Sequence, residues 1–214
     1  MPSLFTSRTL LLSLAAITLA AVVGLVIGQY SSHNKQTAPA IREAGIIALP
    51  SSRELPALQL VSTTGEPVNT QHLADKWHLV FFGYTFCPDI CPTTLAELRQ
   101  LNKLLPEEVK DQLQIVMVSV DPHRDSSEQL HAYLQYFDPT FVGFTGELQD
   151  IQTLSNTLRI PFIPGDTSKP RYTVDHSGNL VLIGPDGRQR GFIRAPLKVQ
   201  KLKEQLPGLL TQVE

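Results

Sequence analysis

Hydrophobic and polar positions along most of the chain follow patterns of strand and helix type, and their order predicts the architecture. Short apolar or alternating runs predict strands at 58–63, 78–83, 114–120, 141–144, 179–183 and 188–193. Apolar residues at helical spacing predict helices over 95–105, 126–137, 148–158 and 197–206. Crossover connections and one hairpin at 184–187 together predict an α/β fold, in which helices flank a mixed sheet.

The N-terminal pattern is different, because residues 10–28 are apolar or small and carry no charge. At ~1.5 Å per residue, such a helix approaches the ~30 Å thickness of a bilayer's hydrocarbon core. A cleaved signal peptide has a shorter apolar core of roughly 7 to 15 residues, and a buried helix would carry polar positions. The segment therefore predicts an uncleaved transmembrane helix.

This interpretation divides the chain into four parts. We expect a cytoplasmic tail at 1–9, an anchor at 10–30, a polar tether at 31–54 and a folded domain at 55–214. The expected location is a bacterial inner membrane, crossed once, with the soluble domain on the periplasmic side. The periplasm is oxidising, so in this location the chain's two cysteines, Cys87 and Cys91, indicate either a disulfide or a metal site.

Composition excludes some classes of function. The net charge of −2 and the pI near 6.3 give no electrostatic attraction to nucleic acid. A chain of 214 residues can form a core without a disulfide scaffold. With Met1 and Met117 as its only methionines, it has no methionine-rich copper site.

The only two cysteines, Cys87 and Cys91, lie in FGYTFCPDICP, where a strand runs into a helix, as in thioredoxin-like folds. The helix N-terminus favours thiolate, which serves both disulfide exchange and metal binding. Helical positions four apart have Cβ atoms roughly 5–6 Å apart, whereas a disulfide needs about 3.5–4.5 Å. The spacing therefore favours a metal, with a disulfide as a second state. The alternative is that Cys91 only continues an apolar helix stripe.

A third ligand must come from elsewhere, and two of the six histidines are candidates. His123 follows a strand end and His176 precedes the hairpin; topology slightly favours His176 and leaves both open. The other four are interpreted as structural or solvated: His33, His72, His78 and His131. Two thiolates and one imidazole are too few for a closed zinc site but suit copper.

Four motifs carry a resemblance to a known family: FFGYTFCPDICPTTL, SVDPHRD, FVGFTG and YTVDHSGNLVLIGPDGR. From about Leu55 to the C-terminus, the chain resembles the Sco (SenC) family of membrane-anchored copper proteins, which are similar in fold to thioredoxins. The resemblance implies copper, as Cu(I) or Cu(II), bound by Cys87, Cys91 and His176. We expect Asp175 to orient His176; the alternative is that it is only a carboxylate at a strand end. It departs from the family at Asp75, where a glycine is expected, and at His123.

The resemblance implies a role in maturation of the binuclear copper centre of cytochrome c oxidase. We expect a copper chaperone rather than an enzyme, with the copper-receiving oxidase subunit as partner, along with other copper carriers or thiol reductants, and no nucleic acid. The alternative is a thiol–disulfide oxidoreductase that cycles Cys87 and Cys91. A peroxidase is disfavoured, because the T-x-x-C spacing of such sites is one residue short at Thr85.

Overall fold

The structure is a computed structural model that describes residues 16–24 and 38–210, apart from the side chain of His72. Residues 16–24 are helical. Within the described residues, no helix is both long enough and apolar enough to cross a membrane. The remainder of the predicted anchor, and all of the predicted tail, lie outside the described residues.

Residues 38–210 contain one mixed sheet. Its strands are β1 (Ile46–Glu54), β2 (Gln59–Ser62), β3 (Pro67–Asn69), β4 (Trp77–Gly83), β5 (Leu113–Ser119), β6 (Val142–Gly146), β7 (Leu180–Ile183) and β8 (Arg188–Ile193). The strand order is β1-β8-β7-β4-β5-β6-β2-β3. The β4–β5 and β5–β6 pairs are parallel, and the other pairs are antiparallel. The predicted mixed sheet is therefore confirmed.

Helices flank this sheet. They are α1 (Ala38–Glu43), α2 (Ile90–Leu104), α3 (Glu107–Lys110), α4 (Ser127–Phe137), α5 (Leu148–Thr157) and α6 (Val199–Leu210), with a short 3-10 helix at Thr70–His72. The buried face of α2 carries Cys91 and the leucines of the predicted stripe. Ser126 caps α4 by accepting a hydrogen bond from the backbone N–H of Gln129. Every residue of β4 is buried, which requires cover on both faces of the sheet.

The predicted tether at 31–54 is wrong over its last seventeen residues, 38–54, which form α1 and β1. β1 pairs antiparallel with β8, and Ile46 opposite Ile193 is buried. β1 is an edge strand whose register shifts between Ala48 and Arg53, and it contains Pro50. An edge strand has one strand partner and little apolar periodicity, so its sequence looks like a linker.

Two turns explain local sequence choices. The hairpin predicted at 184–187 joins β7 and β8, and Gly187 has a φ of 68°. Asp75 also lies in the left-handed region, at a φ of 69°, and its N–H donates to the carbonyl of Pro185 at 2.8 Å. This conformation favours glycine but is tolerated by aspartate, which accounts for the departure from the family pattern.

The topology brings three segments together beyond the C-terminal ends of the central strands. β4 and β5 are parallel, so the loops that follow them leave the sheet at the same end. The first loop leads into α2 and carries the cysteines. The irregular segment 158–179, between α5 and β7, carries His176.

Candidate metal centre

The two cysteines lie at the junction of β4 and α2, as predicted. Cys91 is the second residue of α2 and is fully buried, whereas Cys87 precedes the helix and is partly exposed. Both thiols are free. The backbone N–H of Tyr84 donates to Sγ of Cys91, and the N–H of Cys91 donates to Sγ of Cys87, each at 3.4 Å. Backbone donors therefore face both sulfurs and stabilise negative charge on them.

Gly83 makes room for the buried thiol. A Cβ atom at this position would lie 2.8 Å from Sγ of Cys91 and 2.6 Å from a ring carbon of Phe81. Both distances are shorter than van der Waals contact, and both neighbours are fully buried. The chain therefore needs glycine at the end of β4 for Cys91 to reach its position.

His176 completes a group of three ligand atoms. Its Nε2 lies 3.5 Å from Sγ of Cys87 and 3.3 Å from Sγ of Cys91. The three atoms lie within 4.8 Å of one another, and the described residues contain no other such group of His, Cys, Asp or Glu ligands. The rings of Phe81 and Tyr84 pack edge-on against the imidazole, with centroids 5.9 and 5.6 Å away.

The other end of the imidazole faces the backbone. Nδ1 of His176 lies 3.3 Å from the carbonyl oxygen of Ser177, which can only accept a hydrogen bond. Nδ1 therefore carries the proton, and the lone pair of Nε2 points toward the sulfurs. Asp175, for which an orienting role is predicted, is exposed and pairs through its backbone with Ile163.

Between the two histidine candidates, the geometry selects His176. His123 is exposed, lines a separate cleft with Glu147, and is not part of the three-ligand group. As predicted, His131 is exposed on α4 and His78 is buried in β4. The other two histidines cannot be compared: His33 lies outside the described residues, and only the backbone of His72 is described.

The two thiols have opposite electrostatic environments. The hydrogen bond from the Cys91 thiol, with a further backbone donor at Asp89, lowers the pKa of Cys87 to about 4. Burial raises the pKa of Cys91, and the neighbouring Cys87 raises it further. In the metal-free protein, Cys87 is therefore the thiolate and Cys91 holds its proton. A soft metal ion must displace that proton to bind both sulfurs.

Sequence reasoning missed a buried carboxylate behind the cysteine loop. Asp125 is fully buried and accepts hydrogen bonds from the N–H of Thr85 at 3.0 Å, the hydroxyl of Thr85 at 2.6 Å and the hydroxyl of Ser119 at 2.7 Å. Burial raises its pKa. Thr85 is two residues before Cys87, so this carboxylate fixes the start of the cysteine loop.

Arg124 connects the same loop to the His176 segment. Its guanidinium lies 3.6 Å from the ring centroid of Tyr172 and 4.9 Å from that of Phe86. It also pairs with Asp121, whose other oxygen accepts a hydrogen bond from the Tyr172 hydroxyl at 2.7 Å. Within the motif VDPHRD, the sequence prediction names only His123; the signal for Arg124 is the run of charged residues after β5, where such folds form sites.

Comparison with known proteins agrees with this geometry. The family model described as SCO1/SenC matches residues 50–211. A relative from Stutzerimonas stutzeri is 48% identical over 168 residues, which cover 78% of this chain and 82% of that protein. The copper-bound structure of ScoI from Arabidopsis thaliana has a TM-score of 0.66 and 29% identity, covering 72% of this chain and 97% of that one. Copper-bound ScoI from Bradyrhizobium japonicum has a TM-score of 0.64 and 30% identity, covering 72% and 98%. The chain therefore belongs to the SCO1/SenC family.

Proposed function

We propose that this protein binds copper through Cys87, Cys91 and His176 and delivers it to the copper-receiving subunit of cytochrome c oxidase. The observation that carries the proposal is the position of Nε2 of His176, within 3.5 Å of both sulfurs. The copper-bound ScoI structures support copper as the metal. The resemblance to the Sco family supports the oxidase as the destination.

The donor set suits this cargo. Two sulfurs and one imidazole nitrogen are soft or borderline ligands, and Cu(I) accepts three-coordination, whereas structural zinc takes four ligands. Binding releases the proton of Cys91 and leaves the oxidation state of the metal unchanged. Because Cys87 is partly exposed, a thiolate of the recipient can replace it first, while Cys91 and His176 still hold the ion.

The cellular setting of this proposal rests on the sequence. The apolar segment at 10–30 would anchor the protein in a bacterial inner membrane, with residues 1–9 in the cytoplasm and the folded domain in the periplasm. Extraction of cell membranes with alkaline carbonate tests the anchor. The protein should stay with the membrane pellet, and its release would contradict this part of the proposal.

A second function, thiol–disulfide exchange, is favoured by the lowered pKa of Cys87. In that reaction the thiolate of Cys87 attacks a disulfide of the target and forms a mixed disulfide. Cys91 then attacks Sγ of Cys87 and displaces the target sulfur from the mixed disulfide. Two electrons pass to the target, whose two sulfurs take up the Cys91 proton and one proton from solvent, and a Cys87–Cys91 disulfide remains. This reaction does not use His176 as a ligand, so His176 separates the two functions.

Anaerobic titration of the full chain with Cu(I), against a competing chelator, tests the proposed copper site. The dithiol form should bind one equivalent, and the form oxidised to the Cys87–Cys91 disulfide should bind none. Protein with both cysteines alkylated is the control and should match the oxidised form. Absence of binding by the dithiol form would contradict the copper site.

A further inference from the structure

We propose that the hydroxyl of Tyr84 is a positioning group that keeps His176 against the two sulfurs. It does so by holding the backbone of Val174, two residues before His176. This inference rests on the copper site proposed above. Tyr84 is not one of the three ligands. Packing alone would be satisfied by a phenylalanine at this position, so the hydroxyl needs another explanation.

Tyr84 contacts both halves of the site. Its backbone N–H donates to Sγ of Cys91 at 3.4 Å, on the cysteine side. Its ring packs edge-on against the imidazole of His176, with centroids 5.6 Å apart and planes at 80°. Its hydroxyl oxygen accepts a hydrogen bond from the N–H of Val174 at 3.3 Å. The side chain is 1% exposed, so these contacts are shielded from water.

The segment that carries His176 needs such attachments, because it has little secondary structure of its own. Between the end of α5 and the start of β7, the structure shows only one isolated bridge, between Ile163 and Asp175. A second attachment joins Tyr172 to Asp121 and Arg124. The Tyr84 hydroxyl attaches this segment to a residue that itself contacts Cys91.

The hydrogen bond to Val174 has no replacement from solvent. Val174 is 4% exposed, and a buried backbone N–H that loses its partner destabilises the conformation that buries it. Removing the hydroxyl should therefore favour conformations in which residues 172–176 move away from α2. The copper site would then lose its imidazole for part of the time, while both sulfurs stay in place.

The substitution Tyr84→Phe isolates this effect, because phenylalanine keeps the ring against His176 and removes only the oxygen. We expect the full chain carrying it to bind Cu(I) about fivefold more weakly, the usual effect of one lost hydrogen bond. In the metal-free protein, the amide of Val174 should exchange with solvent about tenfold faster, measured by NMR. Tyr133→Phe is the matched control, because the Tyr133 hydroxyl is buried and has no hydrogen-bond partner among the described residues. It should change neither quantity.

A double-mutant cycle separates positioning from general support of the fold. If Tyr84 acts through His176, then Tyr84→Phe should leave Cu(I) affinity unchanged in a His176→Ala background. An equal loss in both backgrounds would overturn the proposal, and so would unchanged exchange of the Val174 amide. If His176→Ala alone left the affinity unchanged, the copper site itself would fail. Faster exchange of the Val174 amide in Tyr84→Phe than in the wild type would still show that Tyr84 holds the segment.

Discussion

His78 is a buried residue whose titration affects the stability of the fold. It is 7% exposed in β4, and its Nδ1 has no hydrogen-bond partner among the described residues. Burial lowers the pKa of His78 to about 4 from an ordinary value of 6.5. The unfolded chain therefore binds a proton between these pH values that the folded protein does not, and stability falls as pH falls.

We expect this one histidine to remove about 3 kcal/mol from the free energy of unfolding between pH 6.5 and pH 4. Urea unfolding at a series of pH values measures it. The variant His78→Gln should lose much less stability over that range. His131→Gln, at an exposed position on α4, is the control and should keep the wild-type pH dependence. Equal slopes for the two variants would show that His78 is not the titrating group.

Gly83 gives a second prediction at the residue scale. Gly83→Ala would place a methyl group 2.8 Å from Sγ of Cys91, so the buried thiol has to move. We expect a loss of about 1–3 kcal/mol in the free energy of unfolding, as for other overpacked cores, together with weaker Cu(I) binding. Gly65→Ala, in a turn with no atom within 4 Å of the added carbon, should leave Cu(I) binding unchanged. Wild-type affinity for Gly83→Ala would contradict the tight fit.

At the scale of elements, the loop between β4 and α2 depends on the buried carboxylate of Asp125. Asp125→Ala leaves the N–H of Thr85 and the hydroxyl of Ser119 without their acceptor. We expect it to reduce the free energy of unfolding by about 2–4 kcal/mol, measured by urea unfolding at pH 7. Asp166→Ala removes an exposed carboxylate that accepts a hydrogen bond from Ser168. It should reduce the free energy of unfolding by no more than about 0.5 kcal/mol. An equal loss of unfolding free energy in the two variants would show that Asp125 does not support the loop.

The elements also show what the sequence could and could not predict. β4 was predictable because a strand buried on both faces is a continuous apolar run, and the hairpin because its turn contains Gly187. β1 was not predictable, since an edge strand depends on its partner β8 rather than on its own pattern. The hydrogen bonds of Asp125 to Thr85 span 40 residues, so only the folded chain reveals them.

The candidate site, too, could be predicted from the sequence only in part. Strand-to-helix spacing placed Cys87 and Cys91 together, and the structure confirms that placement. Topology alone did not decide whether His123 or His176 is the third ligand. The resemblance to the Sco family indicated His176, and the geometry of the site agrees. The partners of Arg124 could not be predicted, because its stacking on Tyr172 depends on how a long irregular segment folds back to the loop after β5.

On the scale of the folded unit, the first residues of the domain decide its stability. A chain that starts at Leu55 would lack β1, exposing the edge of β8 and removing the buried Ile46. We expect it to lose at least about 3 kcal/mol relative to a chain that starts at Ala38, measured by urea unfolding, and to aggregate more readily. Equal unfolding midpoints would mean that residues 38–54 act as a tether after all.

The central claim is that His176, which lies 85 residues after Cys91 in the sequence, completes a copper site with the two cysteines. The most direct measurement compares the Cu(I) affinities of His176→Ala and His123→Ala with that of the wild type by chelator competition. We predict a loss of more than about a hundredfold for His176→Ala, since even groups that only orient a ligand contribute 10- to 100-fold, and none for His123→Ala. Wild-type affinity in His176→Ala would contradict the account and favour thiol–disulfide exchange.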